Sequence, residues 1–217
     1  MTNKCKEFLR ELADTGYASN FRWLGFKIIQ LPQDLQAYQE IIFKVKPNLI
    51  IETGVFLGGS SIYFASMLEL CGIKNGRVIG IDINLRDKVK KEVSNHPLGE
   101  RITLLQGTSI STPVVKTVCE LAKEKRVLVH LDSCHTRSHV LDELRAYAPL
   151  VSIGSYIIVA DTGVGDFGNF RGYTKNNNPK VAVSEFLKSN NGFQIDDEIQ
   201  SKLAITGHPD GYLRKIK

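Results

Sequence analysis

The chain has 217 residues, 42% of them apolar and 24% charged, which suits one globular domain, or one with a short appendage, and a full core. Its net charge of +5 is spread along the chain, and short clusters such as Lys88, Lys90 and Lys91 read as a solvated helix face rather than a nucleic-acid groove. No apolar run approaches the roughly 20 residues of a membrane span, Met1 to Arg10 lacks a secretory apolar stretch, and Cys5, Cys71, Cys119 and Cys134 show no C-x-x-C or zinc spacing. Reduced thiols in a cytoplasm are expected.

In chain order, residues 1–46 are expected to form an N-terminal helical extension that caps the substrate, and 47–217 the main domain. Asp34 to Lys46 carries Leu35, Tyr38, Ile41, Ile42 and Val45 on one helical face, and Pro47 stops the helix. Asn48 to Glu52 is then a short apolar run of strand type. Arg77 to Ile83, Ile102 to Gln106, Arg126 to Asp132 and Tyr156 to Asp161 repeat the pattern, each ending in a polar or glycine turn. Helix-like stretches lie between them: Ser60 to Cys71, Arg86 to Ser94, Pro113 to Lys123 and Ser138 to Tyr147. In the last, Val140, Leu144 and Tyr147 share a face, and Asp142, Glu143 and Arg145 are expected to point away. Apolar strands alternating with helices predict a doubly wound α/β sandwich around a mostly parallel sheet. Ligands bind such sheets at the carboxyl ends of the strands.

The first strand ends in Glu52-Thr53-Gly54-Val55-Phe56-Leu57-Gly58-Gly59-Ser60. The loop has no G-K-[ST], so it is not a phosphate-cradling P-loop. Phe56 stands where a dinucleotide fingerprint needs its second glycine. An acidic residue before G-x-x-x-G suits a cofactor without phosphates and with a cationic end, such as S-adenosylmethionine; an ordinary α/β turn is the alternative. Asp82, followed by Ile83, ends the second strand, where a carboxylate can accept from both ribose hydroxyls or cap a helix. Gly107, Thr108 and Ser109 follow the third strand, beside the expected adenine.

The fourth strand ends in Asp132-Ser133-Cys134-His135-Thr136 and the fifth in Asp161-Thr162. If these strands are neighbours, about 4.8 Å apart, their carboxylates can share one hard cation; capping roles are the alternative. His135 beside that pair suits a general base, since imidazole titrates near neutral pH. His96 and His208 read as surface or satisfied core residues, and Cys134 as a packing residue.

These residues resemble the cephalosporin-hydroxylase and rhamnosyl O-methyltransferase family, a branch of the class I, Rossmann-like methyltransferases. The similarity runs from Trp23-x-Gly25 and Gln30-Leu31-Pro32-x-Asp34 through I-I-E-T-G-V-x-x-G-G-S at 50–60, G-I-D-I at 80–83 and His96-Pro97. It continues through L-D-S-x-H-T at 131–136, His139-Val140, Pro149-Leu150-Val151 and G-S-Y-I-I-V-x-D-T at 154–162, and closes at Gly211-Tyr212-Leu213. The resemblance implies S-adenosylmethionine at Glu52, Gly54, Ser60 and Asp82, with Thr53, Gly58, Ile83, Gly107, Thr108, Ser109 and Asp132 completing the expected cofactor set. It implies Mg²⁺ at Asp132 and Asp161, with Thr162 as a third expected metal residue, and His135 as catalytic base together with Asp132. The family commonly has an acidic residue just before the second metal-binding aspartate; here it is Ala160, which should weaken the metal and leave room for water.

The expected reaction is O-methylation of a hydroxyl, on a sugar of a glycolipid, surface polysaccharide or secondary metabolite, by a homo-oligomer that binds no nucleic acid. Gly163 to Asn178 has the composition of a mobile loop over the substrate, and Leu24 to Pro32 is expected to help close the pocket. Two alternatives stand beside this reading. One is a non-haem iron hydroxylase using His130, Asp132 and His208. The other is a non-catalytic, cofactor-binding partner subunit, for which Ala160 is the only argument. D-S-C-H after the fourth strand differs from the D/N-P-P-Y/F of adenine methyltransferases.

Overall fold

Five runs pair as parallel strands: four are buried on both faces and can be satisfied only between neighbours, while Ile102–Gln106 is half-buried at the edge of the sheet. The computed structural model describes residues 1–167 and 170–217. A helix α1 (Asn3–Asp14) opens the chain, followed by a small hairpin, β1 (Arg22–Trp23) and β2 (Phe26–Lys27), and α2 (Pro32–Val45). The alternation then runs β3 (Leu49–Thr53), α3 (Gly59–Leu70), β4 (Arg77–Asp82), α4 (Asp87–Asn95), β5 (Ile102–Gln106) and α5 (Thr112–Leu121). It continues with β6 (Val127–Leu131), α6 (Arg137–Tyr147), β7 (Tyr156–Val159), α7 (Pro179–Ser189), β8 (Phe193–Ile195), α8 (Asp197–Lys202) and β9 (Tyr212–Lys215).

The sheet order is β5-β4-β3-β6-β7-β9-β8. From β5 to β7 the strands are parallel, while β9 enters antiparallel between β7 and β8. One core packs α5, α6 and α7 on one face of the sheet; a second packs α2 and α3 on the other. Tyr38, Ile41, Ile42 and Val45 of α2 belong to that second core, so α2 covers the sheet as α3 does.

The five predicted strands and five predicted helices are present, shifted by one or two residues at their ends. One face assignment is corrected. Glu143 does not point away from the sheet but is fully buried, because Ser109 and Ser133 offer it hydroxyl donors at 2.6 and 2.7 Å. A 3₁₀ turn, Thr162–Asp166, leads into the segment 163–178, which carries two isolated bridges, Phe170 with Tyr173 and Thr174 with Asn177. Gly168 and Asn169, which fall within the expected loop, lie outside the described residues.

Candidate active site

The parallel run from β5 to β7 aligns the carboxyl ends of its strands along one edge, and a cleft of about 420 Å³ opens there. Its lining includes Gly54, Phe56, Ser60, Asp82, Ile83, Gly107, Thr108, Ser109, Asp132, His135 and Asp161. Thr53 and Glu52 are wholly buried beneath it, while Gly58 sits behind it and packs toward Val89 and Val93. Thr162 is also buried, its hydroxyl donating to the carbonyl of Pro209 at 2.6 Å.

The glycine turn after β3 has a different cause from the one its composition suggests. Gly54 has φ +90°, and a Cβ there would lie 2.0 Å from the carbonyl oxygen of Asp132. The close approach is therefore to the neighbouring strand end. Beyond it, the Phe56 amide donates to Asp82 Oδ2 and the Asn84 amide to Oδ1, both at 2.8 Å, so Asp82 ties the turn to β4 rather than capping a helix. Carboxylate oxygens accept more than one bond, and Asp82 faces the cleft with capacity left.

Carboxylates dominate the floor. Burial pushes the Glu52 carboxyl up to about 7, opposed by hydrogen bonds from Ser60 and Ser61 and reinforced by Asp82. Its Oε1 is buried without a partner among the described residues. Burial, then the charges of Asp161 and Glu52, hold the Asp132 carboxyl well above the usual range, while the Gln30 amide opposes them. A floor that resists ionisation for want of positive charge suits a cationic ligand. S-adenosylmethionine, with its sulfonium and ammonium, fits it.

At one end of the cleft β6 and β7 are adjacent, with Leu131 opposite Val159, so Asp132 and Asp161 follow at neighbouring tips. His135 Nε2 lies 3.4 Å from Asp161 Oδ2 and 3.9 Å from Asp132 Oδ1. Donor atoms of the three all fall within 4.8 Å of one another, a spacing that fits a divalent cation. Asp161 has φ +54°, tolerable for aspartate, and its amide donates to His208 Nδ1 at 2.8 Å. Ala160 is fully buried and does not line the cleft.

Behind the two aspartates runs a buried polar chain. Gln30 Nε2 donates to Asp132 Oδ2 at 2.8 Å, and the Tyr38 hydroxyl donates to Gln30 Oε1 at 3.2 Å. The same hydroxyl lies 2.5 Å from His208 Nε2 and 3.1 Å from His130 Nε2. His208 is a core residue, as its isolation in sequence suggests, yet it also holds the Asp161 backbone. His96 lies apart, accepting the Leu98 amide and meeting Phe26 edge-on. Cys134 is corrected: it is exposed at the cleft rather than packed, because it follows the strand end where the chain leaves the core. Ser109, Ser133, His139 and Glu143 form a further cluster at the cleft wall; Ser133 and His139 fall in the motifs that carry the family resemblance, but only Ser109 is among the expected site residues.

A model of the rhamnosyl O-methyltransferase/CmcI family matches residues 15–216. The chain belongs to this family. It is 26% identical to the rhamnosyl O-methyltransferase of Mycobacterium tuberculosis over 205 residues, covering 91% of this chain and 81% of that one. Among solved structures, CmcI with Mg and SAM gives a TM-score of 0.65 at 22% identity over 92% of this chain and 78% of the other. The mycinamycin-pathway methyltransferase MycE with Mg and SAH gives 0.55 at 18% identity, over 83% and 44%. The fold is that of the class I methyltransferases, and the family is one of O-methyltransferases. The iron-hydroxylase alternative is not favoured: His130 and His208 both point Nε2 at Tyr38, and the metal-spaced group among the described residues is Asp132, His135 and Asp161.

Proposed function

We propose that this protein transfers the methyl group of S-adenosylmethionine to a hydroxyl oxygen, with a divalent cation such as Mg²⁺ at Asp132 and Asp161. The observation that carries the reading is the junction of a carboxylate-floored cleft with the Asp132, His135 and Asp161 cluster. When bound, the cofactor supplies an electrophilic sulfonium methyl and the cation supplies charge that makes a hydroxyl more acidic. Asp82 and the Gly107 to Ser109 turn would hold the nucleoside, and Glu52 would set the sign of the floor from below. His135 Nε2, flanked by two carboxylates, would take the proton of the acceptor hydroxyl, and those carboxylates would stabilise the imidazolium that forms. Gln30 and His208 would keep the aspartates aimed. In-line alignment of oxygen and methyl is the remaining contribution of the site.

The name of the mycobacterial relative supports a sugar hydroxyl as acceptor. Four free cysteines, and no helix among the described residues long and apolar enough to cross a membrane, are compatible with a cytoplasmic setting.

The test is transfer of an isotopically labelled methyl from S-adenosylmethionine to a panel of glycosides with Mg²⁺ present. Asp132→Asn and Asp161→Asn should each lower turnover at least a hundredfold while cofactor binding survives. Activity indifferent to chelator, in protein shown to be metal-free, would remove the cation from the reaction.

A further inference from the structure

A second cavity, of about 150 Å³, opens beside the cleft and shares Ile29, Gln30 and Asp161 with it. Much of its lining is apolar. Leu9, Leu12 and Ala13 of α1 form one side, and Val164, Phe167 and Phe170 from the segment after β7 form the other. Leu9, Leu31, Val164 and Phe167 are almost wholly buried and make a small cluster separate from the two cores on the sheet. Phe167 and Phe170 meet edge-to-face at 5.3 Å.

Gln30, Asp34, Asp161, His208, Ser19 and Arg171 also line this cavity, and most of them are already engaged. Asp34 accepts from Tyr212 and Thr206 on Oδ1 and from the Gly207 amide on Oδ2. His208 is held between Tyr38 and the Asp161 amide. The Arg171 guanidinium lies 5.0 Å over the Phe170 ring and within 3.5 Å of the Ala13 carbonyl, bridging the two walls. Such a lining recognises carbon surface better than a ring of hydroxyls. An apolar cavity of about 150 Å³ is large enough for a benzene-sized guest.

We infer that this cavity is a second subsite for the acceptor, taking a ring-sized apolar group carried beside the hydroxyl that faces Asp132, His135 and Asp161. The inference rests on the O-methyltransferase reading and narrows it: the acceptor is a hydroxyl compound bearing an aryl or short acyl neighbour, rather than an unsubstituted saccharide. Helix α1, which precedes the residues matched by the family model, is the element that sets the fit. Burying such a group should raise affinity at least tenfold over a hydroxyl compound without it.

The experiment is saturation-transfer NMR with benzyl alcohol and with glycerol, on protein loaded with S-adenosylhomocysteine and Mg²⁺. Benzyl alcohol should bind wild type and glycerol should not. Ala13 and Ala18 both line the cavity, so Ala13→Trp and Ala18→Phe, two ways of filling it, should each weaken benzyl alcohol at least tenfold and leave S-adenosylhomocysteine affinity within twofold. Unchanged benzyl alcohol binding in both filled variants, or none to wild type loaded with S-adenosylhomocysteine, would overturn the subsite. Should S-adenosylhomocysteine fail to bind while both variants still lose benzyl alcohol, the cofactor reading falls and the apolar subsite stands.

Discussion

His135 sits where two roles meet, as base for the acceptor proton or as third ligand to the cation, and one substitution separates them. A general base contributes about 10²–10⁴-fold, so His135→Ala should lower kcat by that order while Mn²⁺ affinity, measured by paramagnetic resonance, stays within a few-fold. A matching collapse of Mn²⁺ binding would make it a ligand. Glu52 gives a pH signature. Its carboxyl rises from an ordinary 4.5 to about 7 on folding, so the folded state binds the extra proton between those values. Stability of the ligand-free protein therefore falls as pH rises from about 4.5 to about 7 and then levels, a loss of about 3 kcal/mol at 1.36 kcal/mol per pH unit. Glu52→Gln should flatten that part of the stability curve in denaturant titrations; an identical slope in the variant would show that the Glu52 carboxyl ionises freely where it is buried. Asp82, Asp132 and Asp161 could be singled out from the sequence because each directly follows an apolar run, and His135 because it stands three residues after Asp132. Gln30 could not be assigned a partner, since it meets Asp132 across 102 positions. Glu143 reads as solvent-facing by charge alone, and only the fold supplies its buried hydroxyl donors.

The elements that frame the site were legible in proportion to their length and period. The central strands and the helices between them carry uninterrupted apolar runs or a 3.6-residue stripe. The hairpin β1–β2 has two residues a side, β8 has three, and β9 ends in Arg214-Lys215, so none offers a period to read. Antiparallel insertion of β9 beside β7 is likewise a long-range outcome, yet it matters locally, because the turn before β9 carries His208 to the Asp161 amide. The segment from β2 into α2 works the same way from the other side. It delivers Gln30 to Asp132 and Tyr38 to Gln30, joining the two aspartates from behind. Loss of such an outer partner typically costs about 10–100-fold in metal affinity. Gln30→Ala should therefore weaken Mn²⁺ by at least tenfold, with S-adenosylmethionine affinity little changed; equal Mn²⁺ affinity would reduce the chain to core hydrogen bonding.

On the scale of the whole molecule, one sheet edge gathers every group the proposed reaction uses. Parallel order from β5 to β7 puts Gly107, Asp82, Gly54, Asp132 and Asp161 in sequence along that edge, and α1 with the segment after β7 encloses the apolar cavity at its end. The most direct measurement is calorimetric titration of S-adenosylmethionine into the wild-type protein and into Asp82→Ala, with NADH as the comparison ligand. The account predicts saturable binding of S-adenosylmethionine near one equivalent, loss of at least most of that affinity in Asp82→Ala, and no heat from NADH. Binding of NADH with none of S-adenosylmethionine would contradict it.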